Sequence, residues 1–60
     1  MNALTNFLNS TIGETLFVFT GHDEHGRETG FLTPNDGSNP ELNTKWLLSE
    51  GMTAIEVYKP

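Results

Sequence analysis

The stretch of this chain richest in chemically capable side chains is GHDEHGRETG, residues 21–30, with two histidines, an aspartate and two glutamates. His22, Asp23 and His25 are ligand types for zinc, which needs at least three protein donors even at an open site. On an extended hairpin the two histidines stand at opposite ends of a turn and can face one side. Ligating histidines are normally oriented by a rigid outer shell, and a solvated loop tip has no source for one. An exposed polar turn is therefore preferred over a metal centre, and no cofactor is expected. Glu24 and Glu28 are the nearest approach to an acid–base pair. Catalytic carboxylates need burial or coupled charge to move their pKa, and a pocket for substrate. A chain this small rarely encloses the roughly 300 Å³ of a small-molecule site. It also lacks a nucleophile elbow and a phosphate-cradling glycine loop. Enzyme activity is not expected.

The elements that position this stretch can be read from spacing. Leu4, Phe7, Leu8 and Ile12 recur at the interval of one helix face, so a helix is predicted over 2–12, capped by Asn2 and stopped by Gly13. Residues 15–22 are rich in aromatic and β-branched types and form a strand. Leu16 and Val18 point one way, Phe17 and Phe19 the other, so both faces are apolar and a central strand, or one covered on both sides, is expected. A second strand covers 27–33. Between them, Asp23-Glu24-His25-Gly26 fits a type I turn closed by a left-handed glycine, with the Asp23 carboxylate accepting from backbone amides. Residues 34–40 read as a loop. Asn39-Pro40-Glu41 opens a helix predicted over 40–50, with Leu42 and Trp46 inward, Leu47 slightly around the face, and Gly51 as its stop. A last strand is predicted over 53–59, with Ile55 and Val57 on one face and Ala54, Glu56 and Tyr58 on the other. The expectation is one small α+β domain over 1–60, in the order α-β-β-α-β. Its three-stranded sheet packs on the second helix, and the third strand runs parallel to one hairpin strand.

Length and charge limit what such a domain does. With 60 residues the core is thin, and self-association or a partner adds stability. There is no cysteine, hence no disulfide or thiolate metal site. Neither a signal peptide nor an apolar run of the roughly 18 residues that span a bilayer is read here, so a cytoplasmic protein without membrane contact is expected. Eight acidic residues oppose three basic ones, for a net charge of −5. Phosphate binding needs clustered Lys and Arg, and Arg27, Lys45 and Lys59 are too few and scattered, so direct nucleic-acid binding is not expected. An acidic surface suits a basic partner, including the nucleic-acid-binding face of another protein.

Phe17 and Phe19, the Asp23-x-x-Gly26 turn, Gly30, the capped helix and LLSEGMTAIEV, residues 47–57, resemble the cytoplasmic N-terminal repeat of type II secretion F-family inner-membrane proteins. The same β-β-α-β outline is similar to small phage inhibitors of bacterial RNA polymerase. The resemblance spans about two-thirds of the chain and implies an architecture and a bias toward protein binding. The chain departs from the F-family pattern after the hairpin, where Pro34 or Asn35 stands in place of the usual alanine.

These strands of argument lead to a non-catalytic protein-interaction module, an inhibitor or adaptor from a phage or mobile element that docks on a basic surface of a host enzyme. Its candidate contact residues are His22, Asp23, Glu24, His25, Arg27, Glu28, Glu56 and Tyr58. Asp23, Glu24, Glu28 and Glu56 form an acidic line set against the alternative of a merely solvated surface. Trp46 and Tyr58 are interface-enriched types, but Trp46 has core spacing. Tyr58 is either exposed or covered by the first helix, and Phe31 is ambiguous against Leu32. If that helix leaves the second sheet face open, an apolar patch remains for a partner. Free strand edges also permit a homodimer. The alternatives are a metal- or ligand-binding domain through His22–His25, and a structural subunit of a larger assembly.

Overall fold

A computed structural model describes residues 2–60, and Met1 lies outside the described residues. Two helices and three strands follow in chain order: α1 (Ala3–Ser10), β1 (Thr15–His22), β2 (Glu28–Pro34), α2 (Thr44–Ser49) and β3 (Val57–Tyr58), with a 3-10 turn at Pro40–Leu42 before α2. The sheet order is β2-β1-β3, and β1 is antiparallel to both neighbours. The predicted α+β architecture with a central first strand is therefore observed. β3 shares the direction of β2, as expected, but is separated from it by β1.

All packing is on one side of the sheet. Leu16, Val18 and Val57 of the strands, Leu4 and Leu8 of α1, Leu42 of the 3-10 turn and Leu47 of α2 form the buried core. Both helices thus cover the Leu16–Val18 face of β1. The opposite face, which carries Phe17 and Phe19, has no helix over it, and these two rings are half-buried.

Three predicted elements are shorter than expected, each for a local reason. Asn2 caps α1 by accepting from the Thr5 amide at 2.8 Å, but the helix ends at Ser10. The Thr11 hydroxyl takes the Phe7 carbonyl at 2.9 Å and closes the last turn. The chain reverses before Ile12 can join the buried face. The helix predicted over 40–50 is broken at Asn43, whose backbone is extended and whose side chain accepts from the Lys45 amide. That break resets the helical phase. Leu47 is wholly buried, while Trp46, expected in the core, is 37% exposed. The strand predicted over 53–59 shrinks to two residues because Thr53–Glu56 is a turn, closed by Glu56 N–H to Thr53 O at 3.0 Å and by Thr53 N–H to Glu56 Oε2 at 2.7 Å. Ile55, expected inward beside Val57, sits on that turn and is 85% exposed. The second strand starts at Glu28 rather than Arg27 and runs one residue further, to Pro34.

The connection after β2 is held by asparagines. Asn35 is buried and donates through Nδ2 to Leu8 O at 2.9 Å and to Thr11 Oγ1 at 3.2 Å. Its backbone N–H donates to Glu14 O at 2.8 Å, and its carbonyl accepts from Gly13 N–H at 2.6 Å. This one residue therefore satisfies a carbonyl at the C-terminal end of α1 and joins it to the end of the hairpin. Asn39 donates to Thr33 Oγ1 and Pro34 O while capping the 3-10 turn. Asn35→Ala removes the two Nδ2 bonds and leaves Leu8 O without that partner. The expected cost is about 2 kcal/mol, read as a lowered denaturant midpoint with an unchanged slope. A variant as stable as the parent contradicts the joint.

Candidate functional site

The hairpin tip is built as its residue types require. Asp23 Oδ1 accepts from the His25 amide at 2.8 Å and the Arg27 amide at 2.9 Å, and Oδ2 accepts from Arg27 Nε at 2.9 Å. Asp23 and Arg27 also pair through the backbone, N–H to O at 2.9 Å, and Gly26 closes the turn with φ +80°. The Arg27 amide above all holds the Asp23 carboxyl below the usual aspartate range. A carboxyl depressed in the folded state stabilises the turn above the unfolded pKa, and that contribution is lost as pH falls through the folded one. Both Asp23 oxygens are thus engaged in holding the loop. His25 and Glu24 stand exposed at the apex, 3.5 Å apart. Among the described residues, no three His, Cys, Asp or Glu side chains are grouped to hold a metal ion.

Past the tip, a bulge changes which residues share a face. Phe19 opposes Gly30, but Gly21 opposes Thr29, so Thr20 is an extra residue in β1. Its hydroxyl donates to Thr29 O at 3.2 Å. A bulge of this kind shifts the alternation of all residues beyond it. Gly21 accommodates the distortion with φ +147°, outside the range other residues favour. His22, which by simple alternation belongs on the core side, is turned to the open face. There it opposes Glu28 and meets Phe19 edge-on, with ring centroids 5.2 Å apart.

The open face continues across the sheet. Phe17 lies between Leu32 on β2 and Tyr58 on β3, and its ring is 5.4 Å from that of Tyr58 with a tilt of 49°. Leu32 is 61% exposed. Tyr58 reaches over to donate its hydroxyl to Glu28 Oε2 at 3.3 Å. The first helix does not cover Tyr58, and Phe31 turns to the core side, where it packs partly against the buried cluster. Gly30 makes this arrangement physically available. A Cβ there would lie 2.5 Å from Phe17 Cζ and 2.7 Å from Cε1, so the ring occupies the place of the missing side chain.

His22, Glu28 and Tyr58 of the eight candidate residues are thus gathered on one face, and Asp23, Glu24, His25 and Arg27 form the adjoining tip. Glu56 lies apart in function, its carboxylate capping the Thr53 amide. Phe17, Phe19 and Leu32 belong to the face but were not among the candidates. Their alternation with Leu16, Val18 and Phe31 signalled a second apolar face, and only the placement of α1 decides whether it is open.

Partial cover raises the Tyr58 hydroxyl above its usual 10.0, and the charge and hydrogen bond of Glu28 raise it further. Tyr58 is the chain's one tyrosine, so tyrosinate absorbance reports it alone. Glu28→Gln is expected to lower the titration midpoint while leaving it above 10.0. An unchanged midpoint contradicts the Tyr58–Glu28 contact. Because the folded pKa is the raised one, this group's stabilisation is present below the unfolded pKa and lost as pH climbs through the folded value.

Two shallow depressions lie elsewhere. One of about 200 Å³ is lined by Leu8, Ile12, Leu42 and several asparagines, among them Asn35, Asn39 and Asn43, whose amides already make structural hydrogen bonds. The other, about 160 Å³, is lined by Leu4, Leu48, Met52 and Ala54, with no charged side chain among the described residues. Among the described residues no helix is long and apolar enough to cross a membrane. A scan against protein-family models, a search of curated proteins and a search of solved structures each returned no match for this chain.

Proposed function

We propose that this chain is a non-catalytic protein-interaction module, an acidic inhibitor or adaptor that docks on a basic surface of a host enzyme. The observation that carries the reading is how the charges are distributed. Of three basic side chains, Arg27 is held by Asp23 at 2.9 Å and Lys59 by Glu14 at 2.6 Å. Part of the excess negative charge is presented at the tip, by Glu24, and beside an uncovered apolar face, by Glu28, while the exposed Asp36, Glu41 and Glu50 lie outside both. A patch of this composition suits a partner of opposite sign, where complementarity sets approach rate and register. An origin in a phage or mobile element, and a cytoplasmic setting, accord with the size, charge and outline of the chain.

The test is capture from host lysate by the tagged chain at low and high salt, beside a Glu24→Lys/Glu28→Lys variant. The reading expects one enzyme retained at low salt, released at high salt and lost with the variant. Capture indifferent to both salt and charge reversal overturns the electrostatic docking.

A further inference from the structure

We infer that the open face of the sheet, rather than the hairpin tip, is the recognition surface, and that its occupant is a polypeptide segment presenting arginine side chains. This inference rests on the reading of the chain as a module for basic partners and specifies where and how such a partner is held.

Three features of the face converge on a guanidinium group. The first is the aromatic lane: Phe17 and Tyr58 stand 5.4 Å apart, and Phe19 continues the lane along β1. All three rings are half-buried, so each is anchored from beneath while leaving part of its surface to solvent. Aromatic faces attract cations, and the planar guanidinium stacks on them better than an ammonium does. The second is a carboxylate at the edge of that lane. Glu28 is exposed, and Tyr58 donates to its Oε2, so that Oε1 takes no part in this bond. A cation lying over Tyr58 therefore meets a carboxylate at the end of the same ring, in the arrangement that favours a forked donor. The third is that the chain's own nearby cations are committed elsewhere. Arg27 is tied into the turn by Asp23, and Lys59 is paired with Glu14. Among the described residues the lane is thus flanked by the Glu28 carboxylate with no lysine or arginine side chain lying on it, His22 standing at its tip end.

The tip is a poorer recognition surface for a physical reason. Asp23 has both oxygens engaged, and Glu24 and His25 are exposed side chains that lie against each other. Exposed ion pairs of that kind contribute little because water competes for both partners. Leu32, 61% exposed next to Phe17, extends the apolar floor on the face and gives the aliphatic stem of an arginine a place to lie. The bulge at Thr20 acquires a role here, since it turns His22 to the same side and closes the tip end of the lane.

The test uses the full chain and a defined probe, a blocked Gly-Arg-Gly-Arg-Gly peptide, with the lysine counterpart alongside, followed by side-chain and amide NMR shifts. Shifts at the Phe17, Phe19 and Tyr58 rings and the Leu32 methyls, larger for the arginine peptide, support the inference. Glu28→Gln should then weaken that binding about threefold, the scale of one exposed ion pair, and Leu32→Lys should abolish it. Both substitutions are at exposed positions, and amide dispersion verifies that the fold is kept. Shifts confined to residues 23–25 overturn the face as the recognition surface while sparing the basic-partner reading. Equal responses to the two peptides overturn the guanidinium assignment. Shifts nowhere on the chain overturn the inference and the basic-partner reading together.

Discussion

Leu47→Ala costs about 3 kcal/mol, whereas Trp46→Ala, one position earlier and a far larger truncation, costs about 1 kcal/mol. The inversion follows from the break at Asn43. A helix running without interruption from Pro40 would put Leu42 and Trp46 on one inward face four residues apart. Instead the 3-10 turn ends at Leu42, Asn43 takes an extended backbone and caps a new helix, and the inward position of that helix is Leu47. Leu47 is wholly enclosed with Leu16, Val18 and Val57 around the same core, while Trp46 stands 37% exposed. Removing a buried leucine loses its transfer energy and leaves a cavity that a thin core cannot close. For a domain of 60 residues, whose core supplies only about 3–5 kcal/mol, that one change populates the unfolded state heavily. The measurement is denaturant unfolding followed by circular dichroism, since Trp46 is the one tryptophan and fluorescence is lost with it. A larger loss at Trp46 than at Leu47 would falsify the placement of α2.

The same Asn43 shows where pattern reading stops. Asparagine is a poor helix residue and a good N-cap, and both are consistent with the apolar spacing from Leu42 to Trp46. Only the tertiary position of Leu42, buried at the end of a 3-10 turn, selects the cap. The hairpin was legible because its determinants are local: Asp23 accepts the two amides that a type I turn exposes, and Gly26 takes the left-handed residue. The extent of β1, Thr15–His22, followed for the same reason. The final strand was not legible beyond Val57 and Tyr58, because Thr53 and Glu56 make a turn through a side-chain bond that alternation does not register. Asn35 looked like loop punctuation, although its amide spans 27 residues to reach Leu8. For the site, alternation reveals that β1 has two apolar faces but does not settle on which of them His22 stands. The Thr20 bulge adds one residue to one strand alone, and its cause is in the pairing with Thr29 rather than in any periodicity.

Gly30→Ala is the second large effect, and it tests the face as well as the fold. The glycine lies in the middle of β2 opposite Phe19, where a strand residue with a side chain is ordinarily preferred. A Cβ at this position meets the backbone carbonyl oxygen of Val18 well inside contact distance and lies 2.5 Å from Phe17 Cζ. The ring can swing away, but the carbonyl belongs to the paired strand and moves only if β1 and β2 part. A methyl group is normally favourable in a strand through lower unfolded-state entropy. Here the overpacking outweighs that gain, and a net loss of about 2–3 kcal/mol is expected. The local readout separates this from generic destabilisation: displacing Phe17 lifts the cover from Tyr58, so the phenol midpoint falls toward its usual 10.0 even in the fraction that remains folded. If the variant is as stable as the parent and Tyr58 titrates unchanged, the Phe17 ring does not lie over Gly30. The aromatic lane from Phe19 to Tyr58 then loses its central member, and with it the surface that holds a cation.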